Sequence, residues 1–311
     1  MKIYNDLDQI DRQNCVITIG TFDGVHRGHQ TILKKLCDEA EKKNLCATVV
    51  TFEPHPQFVL KPERKPELKL LTTLDEKIGI FQQTKIDRLI VLPFTAELSR
   101  LSSQQFIESI LLKKIGFSEI IVGYDHAFGR DRQGNIEILS RLAEKYDFSV
   151  KRMPPFEDEG SIISSTKIRK LISDGNLEKA NRFLGRRYKL TGNVITGEGR
   201  GRQFRIPTAN VEPQSPDKLV PPSGIYAGFV SLRDKIYKAV IYIGSKPTFS
   251  YSGTVIEAHL FNFQGELYGE TLALEFVKKI RDDQKFESIE KLIEQIEKDK
   301  INSLEILNNS F

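Results

Sequence analysis

The chain has 311 residues, 39% of them hydrophobic and 28% charged, with a formal net charge of +4, and this length suits two domains with a core each. The small charge does not favour nucleic acid as a partner, no apolar run approaches the roughly 20 residues of a membrane span, and the start, MKIYNDLDQIDRQ, lacks the apolar core of a signal peptide. The three cysteines, Cys15, Cys37 and Cys46, have no metal-like spacing, which indicates reduced thiols in a cytoplasmic protein without a membrane partner.

The first half of the chain alternates short runs rich in Val and Ile with helical patterns. Five runs predict strands, at residues 16–20, 47–52, 88–94, 119–123 and 149–154. Helical patterns such as HQTILKKLCDEAEKK and SSQQFIESILLKKIG separate them. This alternation predicts an α/β domain, with a parallel sheet covered by helices on both faces. Residues 164–185 then predict two short helices joined at Gly175.

From about residue 187 the helical patterns stop. Five further runs predict strands: YKLTGNVIT, GIYAGFVSL, KIYKAVIYIG, TVIEAHLFNF and TLALEFVKKI. One helical segment, SIEKLIEQIEKDKINSLEILN, follows near the end of the chain. The pattern predicts a small antiparallel barrel or sandwich with a terminal helix. We therefore expect two domains, at residues 1–185 and 186–311.

A strand gives way to a helix within TIGTFDGVHRGHQTILKKL, residues 18–36. In an open parallel sheet, ligands bind beyond the carboxyl ends of the strands, and a helix N-terminus there suits a phosphate. Glycines let the backbone approach the phosphate. His26 and His29, three residues apart, can share one helix face and donate hydrogen bonds to it. As an alternative, the histidines only cap the helix or lie on the surface.

A second glycine-rich stretch, TGNVITGEGRGRQFRIPTANV, covers residues 191–211. Its glycines permit a loop that wraps around phosphates. The side-chain oxygens of Thr208 and Asn210 are of the hard type that Mg²⁺ prefers. Taken alone, the GEGRGR part is more typical of a flexible basic loop.

Several of these segments together resemble one enzyme family. GTFDGVHRGH resembles the HxGH signature of nucleotidylyltransferases, and its surroundings are similar to those of the bacterial bifunctional riboflavin kinase/FAD synthetases. VGYDHAFGRDRQGN and ISSTKIR resemble that family's second adenylyltransferase motif and its closing motif. The series GEGRGR, PTANV, GIYAG, GSKPTF, IEAHLFNF and LYGE resembles its kinase domain over most of residues 185–286. The resemblance implies a Rossmann-like nucleotidylyltransferase domain, then a six-stranded barrel, which together convert riboflavin to FMN and FMN to FAD with ATP and Mg²⁺.

In the first domain, the resemblance implies that His26, His29 and Arg169 are catalytic. It assigns to the nucleotide Gly20, Thr21, Phe22, Asp23, Gly24, His26, His29, Ser164, Ser165, Thr166 and Arg169, and to the flavin Asp125, His126 and Phe128. Adenylyl transfer needs no general base, because the attacking FMN phosphate is already anionic; it needs charge neutralisation and alignment. By itself, SSTKIR is also an ordinary helix start with Ser164 or Ser165 as N-cap.

In the second domain, the resemblance implies that Glu257 is the catalytic base. The riboflavin 5′-hydroxyl loses a proton as it attacks the γ-phosphate of ATP, and a positioned carboxylate can accept it. Strand alternation places Glu257 and His259 on one face, with Ile256 and Ala258 on the other. According to the resemblance, Thr208 and Asn210 bind Mg²⁺, and Arg281 contacts the flavin. The nucleotide contacts that it implies are Gly197, Gly199, Gly201, Thr208 and Asn210. Taken alone, Glu257 could be a surface residue, and Arg281 an ordinary helix-end cation.

The chain departs from the family pattern at four positions. Arg205 stands where glycine is usual, and Asn262 stands where aspartate is common. Ile206 and His126 each stand where an aromatic residue is usual. Arg205 could disable the kinase and leave an adenylyltransferase with a flavin-binding or regulatory barrel. A flavin-sensing module without activity is a further alternative, which the low charge and the Glu257 carboxylate disfavour. The sequence leaves open a homo-oligomeric state, the route of FMN between sites, feedback by FAD, a preference for reduced flavin and the relative rates.

Overall fold

The structure is a computed structural model that describes residues 1–64, 67–124, 128–129, 134–196, 207–245 and 253–310. The chain divides into two compact units, Met1–Ser164 and Ser165–Phe311. No helix among these described residues is both long and apolar enough to cross a bilayer.

Six parallel strands form the sheet of the first unit, in the order β1-β4-β3-β2-β5-β6. The strands are Lys2–Tyr4 (β1), Cys15–Ile19 (β2), Cys46–Glu53 (β3), Arg88–Pro93 (β4), Glu119–Val122 (β5) and Ser149–Arg152 (β6). All five predicted strands are present, and the parallel sheet is confirmed. Strand β1, an edge strand of three residues, was not predicted. Strands β2 and β5 are neighbours although β3 and β4 separate them along the chain, so the strand order reverses beside β2, where open α/β sheets bind ligands.

Helices lie on both faces of this sheet, because each face carries its own apolar cluster. The helices are Arg27–Lys43 (α1), Pro56–Leu60 (α2), Leu74–Gln82 (α3), Ala96–Arg100 (α4), Ser103–Phe106 (α5) and Ile136–Tyr146 (α6). A π-helix, Ile107–Ile115, continues α5; short 3₁₀ helices span Leu7–Gln9 and Pro62–Arg64, and a two-stranded ribbon joins Glu157–Asp158 (β7) to Ser161–Ile162 (β8). Adjacent residues such as Val16 and Ile17 belong to opposite clusters, as strand alternation requires.

Six antiparallel strands close a barrel in the second unit, in the order β10-β13-β12-β11-β14-β9. They are Tyr188–Ile195 (β9), Ala209–Pro213 (β10), Gly224–Leu232 (β11), Lys235–Ser245 (β12), Thr254–Leu260 (β13) and Thr271–Arg281 (β14). This confirms the six-stranded barrel and excludes the sandwich. The strand pattern alone missed β10, which begins within the PTANV segment.

The described helices of the second unit are Ser165–Ser173 (α7), Leu177–Leu184 (α8) and Ile289–Asn308 (α9). Gly175, at φ 77°, lies between α7 and α8 as predicted. Asn181 on α8 donates to the Phe276 carbonyl at 2.8 Å and accepts from the Tyr188 N–H at 2.7 Å. Helix α8 therefore packs against the barrel, and α7 packs against α8. Compactness divides the chain before α7, whereas the sequence pattern divided it after α8; the domain limits 1–185 and 186–311 stay a prediction.

Residues of β13 alternate between the interior and the outer wall of the barrel. Ile256 and Ala258 are buried, whereas Glu257 and His259 are partly exposed, which confirms the predicted alternation. Helix α9 covers another part of the outer wall, where Leu307 joins Ala227 and Phe229 in an apolar cluster. The polar side chains of β13 thus lie outside the apolar interior.

Candidate active sites

The first candidate site is the turn that joins β2 to α1. Phe22, Gly24 and Val25 adopt left-handed backbone conformations, with φ of 48°, 80° and 35°. Such a conformation is unfavourable for a β-branched residue. The Val25 N–H donates to the Phe22 carbonyl at 3.0 Å, and the Gln30 amide donates to the Val25 carbonyl at 3.0 Å. The turn is thus held in a strained shape, as is frequent at ligand sites.

The Asp23 carboxylate fastens this turn to the segment before α3. It is 1% exposed and accepts from the Leu71 N–H at 3.0 and 3.1 Å, the Thr72 N–H at 3.0 Å and the Thr72 hydroxyl at 3.2 Å. The Gly24 N–H donates to the same hydroxyl at 3.0 Å. Asp23 therefore has an architectural role that the sequence analysis missed, while its contact with the nucleotide stays a prediction.

Lys77 on α3 is a buried cation beside the same turn. Its ammonium donates to the Thr21 carbonyl at 3.0 Å, and the side chain is buried. Burial lowers the pKa of Lys77, and the charges of Asp23 and Glu53 oppose that shift. Lys77 was not predicted, because nothing in LDEKIGIFQ distinguishes it from a lysine on the surface of an amphipathic helix.

The rings of His26 and His29 stack at the start of α1, with centroids 3.7 Å apart and planes inclined by 17°. The two histidines share one face, as their spacing predicts. His26 is also the N-cap, because its Nδ1 accepts from the His29 N–H at 3.4 Å; neutral His26 therefore carries its proton on Nε2. A Cβ on Gly28 would lie 3.2 Å from the His26 ring, so glycine makes room for the stack. Capping and ligand binding are thus compatible at His26.

A cavity of about 170 Å³ opens at the carboxyl ends of β5 and β6, beside the start of α6. Its lining contains both ends of the VGYDHAFGRDRQGN segment, Val122 and Asn135. The Arg152 Nε donates to the Tyr124 carbonyl at 3.1 Å within this lining. Of the predicted flavin contacts in this segment, Phe128 lies 6.3 Å from Phe106, measured between ring centroids. Asp125 and His126 lie outside the described residues.

The SSTKIR segment forms the start of α7, as the sequence predicts. Ser165 is the first helical residue, Thr166 follows it, and Arg169 lies one turn later, while Ser164 ends the first unit. Ile168 is buried, whereas Thr166 is exposed and Arg169 partly exposed. The role of these residues in holding a triphosphate stays a prediction.

The second candidate site follows one row of directly opposed residues across the barrel wall. Each residue of this row, which we term the outer row, is the register partner of the next: Ile195, Asn210, Glu257, Tyr242, Ile225 and Arg281. Opposed residues on neighbouring strands share a face, and each strand adds about 4.8 Å. The barrel thus aligns three residues predicted from separate segments, Asn210, Glu257 and Arg281, and adds Tyr242 and Ile225, which the sequence analysis missed.

Oxygen-bearing side chains meet in the middle of the outer row. The Thr208 hydroxyl donates to Glu257 Oε2 at 3.1 Å, and Asn210 is the register partner of Glu257. A hydroxyl, an amide and a carboxylate are hard-oxygen donors that fit Mg²⁺. His259 Nδ1 lies 2.9 Å from the Pro207 carbonyl, and burial lowers the pKa of His259. His259 thereby fastens the segment that carries Thr208. Gly197, Gly199, Gly201, Arg205 and Ile206 lie outside the described residues.

The Arg281 guanidinium is held by the Asp299 carboxylate of α9. Arg281 Nε lies 3.0 and 3.1 Å from the two carboxylate oxygens, and Nη2 lies 2.7 Å from one of them. The Asp299 side chain is 3% exposed, and the Gln295 amide donates to it at 2.9 Å. This two-pronged pair fixes the guanidinium plane. Arg281 is thus a fixed cation at the end of the outer row, and its flavin contact stays a prediction.

Asn262 follows β13 with a left-handed backbone, at φ 58°. Asparagine and aspartate adopt this conformation more readily than other residues with a side chain. Asn262 can therefore replace the aspartate that is common at this position without disturbing the turn.

Family models and individual relatives indicate the same enzyme family for this chain. Residues 8–167 match the family model described as FAD synthetase, and residues 184–307 match the one described as riboflavin kinase. A curated relative from Buchnera aphidicola, named bifunctional riboflavin kinase/FMN adenylyltransferase, is 37% identical over 96% of both chains. Relatives of that name from Escherichia coli K12 and Bacillus subtilis 168 are 34% and 35% identical, over 97% and 96% of this chain and 95% and 94% of theirs.

A solved structure from Streptococcus pneumoniae has a similar fold over 97% of both chains, with a TM-score of 0.87 and 29% sequence identity. That protein is described as a macrolide-efflux protein, a name that differs from the one that the curated relatives share.

Proposed function

The chain belongs to the family of bifunctional riboflavin kinase/FMN adenylyltransferases, and on that premise we propose that it carries out both reactions. The barrel phosphorylates riboflavin to FMN, and the domain predicted at residues 1–185 adenylylates FMN to FAD, each with ATP. The observation that carries the proposal is the meeting of Thr208, Asn210 and Glu257 on the barrel wall. Riboflavin, FMN and ATP are then its partners, and the cytoplasm is its place of action.

In the kinase reaction, Glu257 accepts the proton of the riboflavin 5′-hydroxyl. The hydroxyl oxygen forms a bond to the γ-phosphorus of ATP while the bond to the β-phosphate oxygen breaks and ADP leaves. The hydrogen bond from Thr208 orients the Glu257 carboxylate, so that little reorganisation is needed when the proton moves. Mg²⁺ would be held by Thr208 and Asn210 together with the phosphates of ATP, whose negative charge it would neutralise.

In the adenylyl reaction, an FMN phosphate oxygen attacks the α-phosphorus of ATP and pyrophosphate leaves. The residues of the β2–α1 turn stabilise charge, and none of them needs to act as a base. The Nε2–H of His26 and the stacked His29 ring lie at the N-terminus of α1, where the helix dipole also favours negative charge. Ser164, Ser165, Thr166 and Arg169 would bind the triphosphate.

The test is to incubate the purified full chain with riboflavin, ATP and MgCl₂ and to follow riboflavin, FMN and FAD by chromatography. A parallel reaction starts from FMN, and EDTA replaces MgCl₂ in a control. Appearance of FMN and then FAD, lost with EDTA, supports both activities. If riboflavin stays unchanged while supplied FMN becomes FAD, the barrel is not a kinase and serves as a flavin-binding or regulatory module.

A further inference from the structure

Glu257 separates the outer row into two parts of different chemistry. On the β10 side are Thr208 and Asn210, whose oxygens suit a magnesium-bound triphosphate. On the β12 side are Tyr242 and then Ile225, an aromatic and an aliphatic residue. The two sides of the proposed base therefore suit different ligands.

The geometry of phosphoryl transfer decides which ligand lies on which side. The attacking and leaving oxygens lie roughly in line on opposite sides of the transferred phosphorus. If the triphosphate occupies the Thr208 and Asn210 side, the acceptor hydroxyl must approach from the opposite direction. The body of the acceptor then lies over β12, where Tyr242 is the first side chain that it meets.

The position of the Tyr242 ring is set by the backbone at Gly244 and by a hydrogen bond from its hydroxyl group. The ring lies back along β12 over Gly244, where even a Cβ would collide with the phenol. The hydroxyl donates to Asp283 Oδ2 at 3.1 Å, and Asp283 follows the end of β14. Burial and then the Asp283 charge raise the pKa of Tyr242 to about 12, so the phenol stays protonated and keeps this hydrogen bond. The ring is partly exposed and its position is fixed before any ligand binds.

We propose that Tyr242 determines acceptor specificity in the kinase reaction, because its ring receives the flat aromatic ring of the flavin on the β12 side of Glu257. Asp283 acts as a positioning residue that keeps the phenol in place. The proposal rests on the kinase function proposed above and adds to it the side from which the acceptor enters. Offset stacking or edge contact between aromatic rings supplies the affinity.

Steady-state kinetics with four variants of the full chain provide the first test. Tyr242→Leu removes the ring and keeps an apolar side chain, Tyr242→Phe and Asp283→Asn remove or weaken the hydrogen bond, and Tyr237→Phe is the matched control at the other end of β12. We expect Tyr242→Leu to raise the KM for riboflavin about three- to tenfold and to leave the KM for ATP within about twofold. Tyr242→Phe and Asp283→Asn should give smaller and equal increases, and Tyr237→Phe none. An unchanged riboflavin KM in Tyr242→Leu, or equal increases in both KM values, would overturn the proposal.

Flavin fluorescence provides a second test that a merely structural role would not affect. A phenol in contact with an excited flavin quenches it by donating an electron, whereas the benzene ring of phenylalanine does not. Riboflavin bound in the presence of MgADP should therefore be strongly quenched by the unmodified protein and clearly less by Tyr242→Phe at saturation. Equal quenching by the two proteins would contradict contact between the rings.

Failure of this inference and failure of the proposed function give different results. If the unmodified protein does not phosphorylate riboflavin, the kinase assignment fails. If it does, and Tyr242→Leu retains normal kinetics with a normal unfolding temperature, only the placement of the flavin over Tyr242 fails.

Discussion

The Thr208 hydroxyl donates a hydrogen bond of 3.1 Å to the Glu257 carboxylate, which joins the segment before β10 to the middle of β13. The contact brings a proposed metal ligand and the proposed base together before any substrate is present. Since His259 also contacts the carbonyl of the preceding residue, Pro207, two side chains of β13 fix the segment. A site that is already ordered needs little rearrangement to stabilise the transition state.

Replacement of Glu257 by glutamine should abolish the kinase reaction selectively. Glutamine has nearly the same shape and can accept the hydrogen bond from Thr208, but it cannot take up the hydroxyl proton. We expect kcat for FMN formation to fall by about 10²- to 10⁴-fold, with FAD formation from supplied FMN unchanged. Both rates are measured by chromatography. Glu212→Gln, at an exposed carboxylate on β10, is the control; a Glu257→Gln rate within fivefold of normal would refute the base assignment.

Replacement of His29 by alanine should have the opposite selectivity. His29 stacks on His26 at the helix start, so its loss removes one donor and leaves the other without its stacking partner. We expect FAD formation from FMN to slow by about 10²- to 10³-fold, while riboflavin is phosphorylated at the normal rate. Lys34→Ala removes an exposed cation from the same helix and should change neither rate. If His29→Ala and Lys34→Ala behave alike, His29 has no part in adenylyl transfer.

Asp23→Asn should destabilise the sheet unit, because an amide NH₂ must replace one carboxylate oxygen and face the Leu71 N–H, which now donates to both oxygens. We expect a loss of about 2 kcal/mol in the free energy of unfolding. With a urea dependence of about 2 kcal/mol per M, the midpoint of the sheet unit falls by about 1 M. Far-UV circular dichroism measures it, with the exposed Asp75→Asn as control. A midpoint equal to that of the control would show that the carboxylate does not hold the turn.

The acid stability of the sheet unit should depend on Glu39 of α1. Hydrogen bonds from Lys151 and then Lys35 lower the pKa of Glu39 from 4.5 to about 2, and the side chain is only 7% exposed. Because the folded state has the lower pKa, the stabilisation is complete above about pH 4.5 and disappears as the pH falls towards 2.

Calorimetry of Glu39→Gln between pH 2.5 and 7 checks this expectation. The variant should unfold at a lower temperature than the unmodified protein at pH 7, and the difference should shrink below pH 4.5. Glu41→Gln, at an exposed position on the same helix, should show a small difference that varies little with pH. A Glu39→Gln difference that stays constant down to pH 2.5 would contradict the assigned ion pairs.

Most of the fold follows from local patterns of sequence. Apolar runs bounded by helical patterns gave five strands of the sheet, because strands buried on both faces are nearly continuous apolar runs. Strand β1 was not predicted, because its three residues, Lys2–Tyr4, lie at the sheet edge and form no such apolar run. Strand β10 was not predicted, because the PTANV segment was considered for the ligands that its polar side chains could bind and not as a strand. The pattern SSQQFIESILLKKIG predicts a helix over its whole length. It does not distinguish the α-helical turn of α5 from the π-helix Ile107–Ile115 that follows it.

The candidate sites were predictable only where chemistry coincides with a recognisable segment. His26 and His29 stand in one glycine-rich turn, and Glu257 alternates with apolar neighbours, so local sequence indicates them. Asp23 carries a typical ligand side chain, yet its partners are 48 and 49 positions away. Tyr242 acquires its place beside Glu257 from strand register alone. Long-range pairing of this kind is not encoded in the residues next to it.

The alternation along β13 has a consequence for how this enzyme could change over evolutionary time. Ile256 and Ala258 contribute to folding inside the barrel, and Glu257 faces the opposite way on the same strand. Mutations of the interior would mainly alter the stability of the fold, and mutations of the outer row would alter the proposed kinase site. Selection can therefore change the stability of the fold and the proposed kinase site separately, although neighbouring residues of one strand contribute to both.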